Sequence, residues 1–216
     1  MRIDPGLNLT RFDPADGRLS SIRSDSRSTR RVTVGRISRL VPEKDPESFV
    51  RAASYFIGRE DVRFLLWGEG PERERLETLR RELGAEDILE MMGHTDDPEG
   101  ALAEMDIFAY PTTGESVGWV ILEAMAMSLP VISTEVGAVP TFVKHGETGF
   151  LMDPGAASDV LAGLIETLVE DEELRKTFGS RGRRAVEERF TLDRFGSQYT
   201  QLYESIAQVD WFIERD

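Results

Sequence analysis

Short apolar runs alternate with amphipathic stretches from residue 32 onwards, and this alternation limits the fold more than any other feature. Six runs have the length and apolar character of buried strands. They lie at residues 32–34, 62–67, 88–92, 106–111, 131–133 and 149–152. Between them, and after the last, apolar side chains recur at helical spacing. Parallel strands need such crossover helices, and strands buried on both faces are continuously apolar. We therefore predict an α/β fold, a parallel sheet of about six strands with helices on both faces.

The two ends of the chain lie outside this alternation. Residues 13–31 are polar and rich in Ser, Arg and Asp, with Leu19 and Ile22 as large apolar residues, so we expect an exposed loop or linker there. Residues 192–212 have apolar side chains at helical spacing, which predicts a final helix. Its aromatic residues are more typical of packing than of a binding platform; they are Phe195, Tyr199, Tyr203, Trp211 and Phe212.

The composition excludes several classes of function. The chain has no cysteine, which excludes disulfides, thiolate metal sites and a cysteine nucleophile. Its two histidines, His94 and His145, lie far apart in the sequence, so we expect no metal site. A formal net charge of −14 disfavours binding to nucleic acid or to an anionic membrane. No segment resembles a membrane span or a signal peptide, and we expect a cytoplasmic protein.

Glycines and polar residues gather where the predicted strands end. They follow four of the runs, at residues 35–36, 68–70, 93–94 and 112–115. In open parallel sheets, ligands bind outside the carboxyl ends of the strands. The sequence therefore predicts a ligand site at this edge of the sheet.

Two glutamates eight positions apart are candidate ligand-binding groups. Glu123 is the only charged residue in the apolar stretch 118–132, and a buried carboxylate needs a partner. That partner is either an arginine, in a structural ion pair, or the adjacent hydroxyls of a ligand diol. Glu115 lies between Gly114 and Gly118, where the backbone can approach a ligand closely. Taken alone, Glu115 is better explained as a helix-capping carboxylate.

Three cations lie near the end of the first run. Arg36 ends that run, Lys44 follows eight residues later, and Arg39 lies between them. On an acidic chain, such cations beside a glycine are suited to hold a diphosphate. The alternative is an ordinary solvated loop.

Other phosphate-binding and catalytic motifs are missing from the sequence. Gly68 and Gly70 are not followed by the third glycine of a dinucleotide fingerprint, so we reject an NAD-binding interpretation. The chain has no Gly-x-Ser-x-Gly elbow and no glycine-rich loop ending in Gly-Lys-Ser or Gly-Lys-Thr.

Together these segments resemble the retaining GT-B glycosyltransferases of family 4, also called group 1. Residues 115–123 resemble the E-x7-E signature of that family, and the order of the similar segments is collinear over nearly the whole chain. The other similar segments are 5–12, 35–36, 68–73, 92–94, 124–132 and 146–151. Residues 5–12 resemble the segment in which a chain of this family leaves its first domain.

The resemblance implies the second, Rossmann-like domain of a GT-B fold, which binds a nucleotide sugar. It implies a UDP-, GDP- or ADP-sugar donor, with no cofactor and no metal. Glu115 would meet the sugar hydroxyls as the catalytic residue, and Glu123 would hold the ribose diol. Arg36, after Gly35 in a turn, and Lys44 would hold the diphosphate.

The resemblance also implies donor contacts from the backbone. The backbone around Gly93 and His94 would lie near the base, and the amides near Val117 and Gly118 would face the sugar or the phosphate. This chain departs from the family in two places. Ser116, Val117 and Gly118 stand where the family usually has Gly-Phe-Gly, and the loop between arginine and lysine is longer. Arg39 is therefore a second candidate for the role of Lys44.

The same resemblance suggests how the chain is organised. We expect a linker from a missing N-terminal domain at 1–30, the nucleotide-sugar domain at 31–191 and a crossover helix at 192–216. The missing domain would be a partner in the cleft, and the chain alone would be inactive. The sequence leaves open a nucleotide-sugar epimerase of the same fold, a non-catalytic nucleotide-sugar-binding module and an acidic interaction domain.

Overall fold

A single parallel sheet forms the centre of the protein. The computed structural model describes residues 3–28 and 31–207. Six strands pair in the order β3-β2-β1-β4-β5-β6, and every pairing is parallel. The strands are β1 Val32–Ile37, β2 Val62–Trp67, β3 Leu89–Gly93, β4 Ile107–Tyr110, β5 Val131–Thr134 and β6 Gly149–Met152. The predicted fold class and all six strand positions are confirmed.

Helices cover both faces of the sheet. They are α1 Gly17–Ser28, α2 Pro46–Ser54, α3 Arg73–Glu82, α4 Pro98–Ala103, α5 Trp119–Ala126, α6 Val139–Phe142, α7 Ser158–Glu170, α8 Glu172–Arg189 and α9 Leu192–Ala207, with a 3-10 helix at Pro42–Lys44. One apolar cluster joins the sheet to α2, α3 and α7. The other joins it to α1, α4, α5, α6 and α8. Because these two cores cover the faces of the sheet, the loops after the strands lie at its carboxyl edge.

The start of α2 shows how local sequence sets these elements. Asp45 precedes the helix, and its carboxylate accepts a hydrogen bond from the amide of Ser48 (3.2 Å). Pro46 occupies the first turn, where its missing N–H has no intrahelical partner to lose. Phe49 and Ala53 then face the sheet and are fully buried. The predicted cap and the predicted buried side of this helix are confirmed.

The prediction of an exposed linker at residues 13–31 is wrong, because α1 lies there. Leu19 is only 2% exposed and packs with the core that contains α4 and α5. Arg18 donates two hydrogen bonds to Asp97, just before α4 (2.5 and 3.1 Å). These partners are distant in sequence, so the polar composition of the segment gave no sign of them.

The predicted turn at residues 35–36 is also wrong, because both residues lie inside β1. Gly35 pairs with Phe108 of β4, and a side chain at position 35 would overlap Met105. Gly35 is therefore buried under a methionine and does not form the rim of a site. Because Gly35 has no side chain, Met105, which lies between α4 and β4, can pack directly against β1.

The final helix is confirmed over Leu192–Ala207, and residues 208–216, including Trp211 and Phe212, lie outside the described residues. Phe195, Tyr199 and Tyr203 lie one turn apart, with ring centroids 4.8 and 6.2 Å apart. Tyr203 is 65% exposed, so this aromatic row is only partly packed. Over the ranges 3–28 and 31–207, no helix is long and apolar enough to cross a membrane.

We predict that Leu19→Ala destabilises the protein, because α1 is part of the core and not a linker. Deletion of a buried leucine side chain typically costs about 2–5 kcal/mol of unfolding free energy. Thermal unfolding measures this loss, and Ser20→Ala at the exposed neighbouring position is the matched control. An unchanged melting temperature for Leu19→Ala would restore the linker interpretation.

Candidate functional site

A cavity of about 570 Å³ opens at the carboxyl edge of the sheet, beside the point where the strand order reverses between β1 and β4. The loops after β1, β2, β3 and β4 and the first turns of α5 form its walls. Its lining residues are Ile37, Ser38, Arg39, Glu43, Lys44, Gly68, Glu69, His94, Thr95, Tyr110, Glu115, Ser116, Trp119, Val120 and Glu123. This cavity therefore lies at the edge of the sheet where the sequence predicts a ligand site.

Gly68 and Gly70 bring two of these loops together. A side chain on either glycine would overlap a backbone carbonyl, that of Ser38 or that of Leu40. The loops are joined further by a hydrogen bond from the Leu40 amide to the Glu69 carbonyl (2.9 Å). This Gly-x-Gly pair thus allows close packing of the loop that carries Arg39.

Glu115 is the most strongly held acidic group of the cavity. Its Oε2 accepts hydrogen bonds from Lys44 Nζ and from the hydroxyl of Tyr110, each at 3.0 Å. Burial acts to raise the pKa of Glu115, but these two hydrogen bonds, the charge of Lys44 and the amide of Gly118 outweigh it and lower the pKa. Glu115 is therefore an ionised carboxylate of fixed orientation at neutral pH.

Lys44 is nearly buried and has three oxygen partners. Besides Glu115, its ammonium contacts the carbonyl of Gly114 (2.9 Å) and the carboxylate of Glu43 (3.2 Å). The carbonyl of Glu43 in turn accepts hydrogen bonds from the amides of Thr113 and Gly114 (3.1 and 3.2 Å). The 3-10 helix that carries Lys44 is thereby fixed to the loop that carries Glu115.

Arg36 does not lie where the diphosphate prediction needs it. Its side chain is fully buried and does not line the cavity. The guanidinium donates to Ser38 Oγ (3.0 Å), to the carbonyl of Pro111 (2.8 Å) and to the carbonyl of Lys44. Burial lowers the pKa of Arg36 to about 10. The structure therefore gives no support for a direct contact between Arg36 and a ligand in this cavity.

Arg39 has the exposure that Arg36 lacks. It lines the cavity, is exposed, and makes no hydrogen bond or ion pair with any residue in the described ranges. Lys44 and Arg39 are thus the two cations that reach this cavity from the loop after β1. Arg39 lies at the rim of the cavity, in the longer loop and five residues before Lys44.

Glu123 points its carboxylate into the same cavity from α5. No described residue forms an ion pair or a side-chain hydrogen bond with it, and Arg11 pairs instead with Glu99 (2.6 Å). Burial raises the pKa of Glu123, while Arg11 partly offsets the rise and Glu99 adds to it. The structural ion-pair interpretation of Glu123 thus finds no partner at contact distance, which leaves its oxygens available to a ligand.

The remaining predicted residues are divided between the cavity and its surroundings. His94 lines the cavity with its Nε2 3.0 Å from Asp96 Oδ1. Gly93 lies behind it, and its carbonyl accepts a hydrogen bond from the amide of Gly68 (2.7 Å). Gly118, with φ of 79°, precedes α5 and directs its amide to Glu115. These residues shape the wall of the cavity mainly through their backbone.

Val117 faces a second, largely apolar cavity of about 500 Å³ between the N-terminal segment, α6 and α9. Trp119 lines both cavities. Val117 therefore lines a different cavity from the one that holds the charged groups.

No group of three acidic or histidine side chains suited to a metal ion occurs within residues 3–28 and 31–207.

Sequence reasoning missed two residues that shape this site. Tyr110 was assigned only to a strand, although its hydroxyl is bonded to Glu115. Gly137, with φ of 52°, approaches Glu115 so closely that a side chain would overlap the carbonyl of Glu115. Gly137 follows β5, so the rule that glycines gather after strands would have found it had it been applied to the fifth strand. Tyr110 gave no comparable signal.

Comparison with known proteins gives a consistent result. A family model described as "Glycosyl transferases group 1" matches residues 21–185. The chain is 34% identical over 174 residues to N-acetyl-alpha-D-glucosaminyl L-malate synthase of Bacillus anthracis, covering 81% of this chain and 45% of the relative. It is 32% identical over 206 residues to the GDP-mannose-dependent alpha-(1-6)-phosphatidylinositol monomannoside mannosyltransferase of Mycobacterium tuberculosis, covering 91% and 53%. The chain spans about half the length of these curated relatives.

Solved structures show the same fold. Anabaena HepE in complex with UDP and glucose superposes with a TM-score of 0.83 at 27% identity, over 94% of this chain and 56% of that one. The same protein has been solved with UDP-glucose. The C-terminal domain of LpcC, a group 1 family protein of Francisella tularensis, shares the fold at 22% identity with a TM-score of 0.74, over 87% of this chain and 100% of that one.

We predict that Glu123→Gln stabilises the protein at neutral pH. A carboxylate whose folded-state pKa is raised opposes folding once it is ionised, and this effect is absent below the unfolded-state pKa. The melting temperature should therefore rise by roughly 2–4 °C, equivalent to about 1 kcal/mol, and the gain should disappear near about pH 4.

Glu99→Gln is the matched control, because Glu99 is paired with Arg11 and its pKa is lowered despite burial. This variant should lose stability at neutral pH. A lower melting temperature for Glu123→Gln as well would assign Glu123 to a structural role.

Proposed function

Because the chain belongs to the group 1 glycosyl transferases, we propose that it forms the half of a glycosyltransferase that binds the nucleotide sugar donor. The transfer would go to an acceptor that the site does not specify. We include retention of the anomeric configuration in the proposal, as the sequence resemblance implies. No cofactor and no metal are needed for it.

One observation carries this proposal: four glutamates and two cations, Arg39 and Lys44, line a single cavity at the carboxyl edge of the sheet. Among these glutamates, Glu43 is paired with Lys44 and Glu69 is paired with Arg73. Glu115 and Glu123 supply acceptors for hydroxyl groups, and Arg39 and Lys44 supply positive charge. A nucleoside diphosphate sugar carries the matching chemistry, with hydroxyls on the ribose and the sugar and two phosphates between them. Because the chain has a formal net charge of −14, two cations in one cavity favour an anionic ligand there.

The geometry suggests a role for each group. Glu123, with no protein partner at contact distance in the described chain, is suited to accept both hydrogen bonds of a ribose diol. Glu115, held by Lys44 and Tyr110, is suited to the hydroxyls of the transferred sugar. Arg39 and Lys44 are suited to the diphosphate, which replaces the assignment of Arg36 to that contact.

The leaving diphosphate would be stabilised by charge on this chain. Arg39 and Lys44 line the cavity, and so do Ser116 and Trp119, which lie just before and at the start of α5. Cations and a helix N-terminus both lower the energy of negative charge that develops in the transition state. These groups support a role for the chain in stabilising the leaving diphosphate.

The comparisons support a nucleotide sugar as the donor. HepE was solved with UDP and with UDP-glucose, and the mycobacterial relative is named as GDP-mannose-dependent. The relatives are named as transferases or synthases, which favours transfer over an epimerase or a binding module. A cytoplasmic location stays a prediction from the sequence.

We also propose that the acceptor side of the cleft belongs to another domain. The chain matches about half of each curated relative, and it covers all of a solved chain that is described as a C-terminal domain. The division at residues 1–30, 31–191 and 192–216 remains a prediction, with α1 now part of the donor domain's core.

Titration calorimetry of the chain with uridine, UDP, guanosine and GDP tests the donor site. We expect Lys44→Met and Arg39→Met to weaken the diphosphates by about tenfold while leaving the nucleosides unchanged, because charge-assisted contacts vanish with the phosphates. Glu123→Gln should weaken nucleoside and diphosphate alike, since both carry the ribose diol. Lys144→Met, a lysine outside the cavity, is the matched control.

Equal losses for nucleoside and diphosphate would remove Arg39 and Lys44 from the phosphate contact. A loss for Arg36→Lys alone, with Arg39→Met neutral, would restore the original assignment. If none of the nucleotides binds to the unaltered chain, the donor proposal itself is wrong.

We predict that the 216-residue chain binds nucleotide but transfers no sugar. Half of the cleft that would enclose the donor is absent from this chain under the proposal, and chemistry depends on that enclosure. Incubation with UDP-glucose or GDP-mannose and simple sugar or lipid acceptors, analysed by mass spectrometry, measures this. Glycosylated acceptor that disappears with Glu115→Ala would show that the chain is a complete enzyme.

A further inference from the structure

A buried row of side chains lies directly beneath the sugar end of the cavity. At its base is Arg36, whose guanidinium lies 5.0 Å from the centroid of the Tyr110 ring. The other neighbour of that ring is Phe108, stacked at 5.8 Å with an interplanar angle of 14°. Tyr110 is therefore held on two sides by groups that have no contact with solvent.

The hydroxyl of Tyr110 emerges from this packing at the carboxylate of Glu115. It donates to Oε2 at 3.0 Å, and Lys44 Nζ reaches the same oxygen at the same distance. Two donors thus converge on one carboxylate oxygen. Oε1 receives neither of these side-chain hydrogen bonds, and the amide of Gly118 is a third donor to the carboxylate as a whole. Oε1 is therefore the less occupied by side chains and the one that Glu115 can offer to a hydroxyl group.

We propose that Tyr110 is a positioning residue, which fixes Glu115 relative to Lys44 so that Oε1 faces the sugar of the donor. This inference rests on the proposed function. Tyr110 would not touch the reacting atoms. Its action would be to limit the rotation of the Glu115 side chain, which the flexible Lys44 and the amide of Gly118 do less well without a rigid ring hydroxyl.

The hydroxyl is what distinguishes this role from simple packing. A phenylalanine would fill the same space between Arg36 and Phe108, and it would spare the protein a buried polar atom. The hydroxyl is nevertheless present, and its partner is Glu115 instead of a backbone carbonyl. Its removal should therefore leave the core intact and change only the behaviour of Glu115.

Tyr110→Phe tests the proposal by the ratio of the Kd for UDP to the Kd for UDP-glucose, with GDP and GDP-mannose as a second pair. We expect this ratio to fall by about three- to tenfold while the Kd of the nucleotide itself stays constant. Tyr203→Phe, at an exposed tyrosine outside the cavity, is the matched control. In a Glu115→Ala background the effect of Tyr110→Phe should vanish, because Tyr110 acts through Glu115.

A second readout does not depend on the sugar. Removal of the tyrosine hydrogen bond should move the pKa of Glu115 upward, as followed by carbon NMR of the labelled carboxylate. A Tyr110→Phe variant with the same Glu115 titration and the same sugar discrimination as the parent overturns the positioning role. An equal loss for nucleotide and nucleotide sugar also overturns it, and assigns Tyr110 to general packing.

Failure of the proposed function gives a different result. If the parent chain binds neither UDP nor GDP, nor their sugars, the donor site and this inference are both wrong. If the parent discriminates the sugar and Tyr110→Phe discriminates it equally well, the donor site stands and only the role of Tyr110 is lost.

Discussion

A guanidinium with no exposure to solvent lies where β1 ends, and the arrangement of the site depends on how it is satisfied. Withdrawal of a charge from water costs several kcal/mol unless the surroundings supply partners. For Arg36 the partners are the Ser38 hydroxyl and the carbonyls of Lys44 and Pro111. Those two carbonyls belong to separate loops, so satisfying one charge brings together the segments that carry Lys44 and Glu115. Arg36 thus joins the two loops of the site at this edge of the sheet.

The parallel sheet determines which loops can meet in this way. β1 pairs with both β2 and β4, so its carboxyl end lies between loops that are remote in sequence. Three glycines allow these loops to approach, because a side chain at Gly68, Gly70 or Gly137 would overlap a neighbouring carbonyl. Close packing of backbone segments therefore shapes the site, and a few charged side chains line it.

Local patterns in the sequence predicted the sheet and its carboxyl edge, because strand length and helical spacing are visible over a few residues. They marked Lys44, Glu115 and Glu123 only as candidates, and the family resemblance assigned them to the site. Patterns that depend on distant partners were not visible. The helix at residues 17–28 is polar and is held by Leu19 and by contacts with the segment before α4. The acceptor of Arg36 at Pro111 lies 75 residues away in sequence, so a cation that looked exposed is in fact internal.

The pairing of Lys44 with Glu115 has a consequence for how tightly any anionic sugar derivative can be held. Lys44 already contacts three oxygen atoms, and Oε2 of Glu115 already accepts from Lys44 and Tyr110. A ligand that contacts them must therefore exchange partners instead of adding new ones, and the net gain in free energy is the difference between two similar sets of interactions. Under the proposed function, the internal pair of Lys44 and Glu115 would re-form when the nucleotide leaves, and this would offset part of the free energy lost on its release.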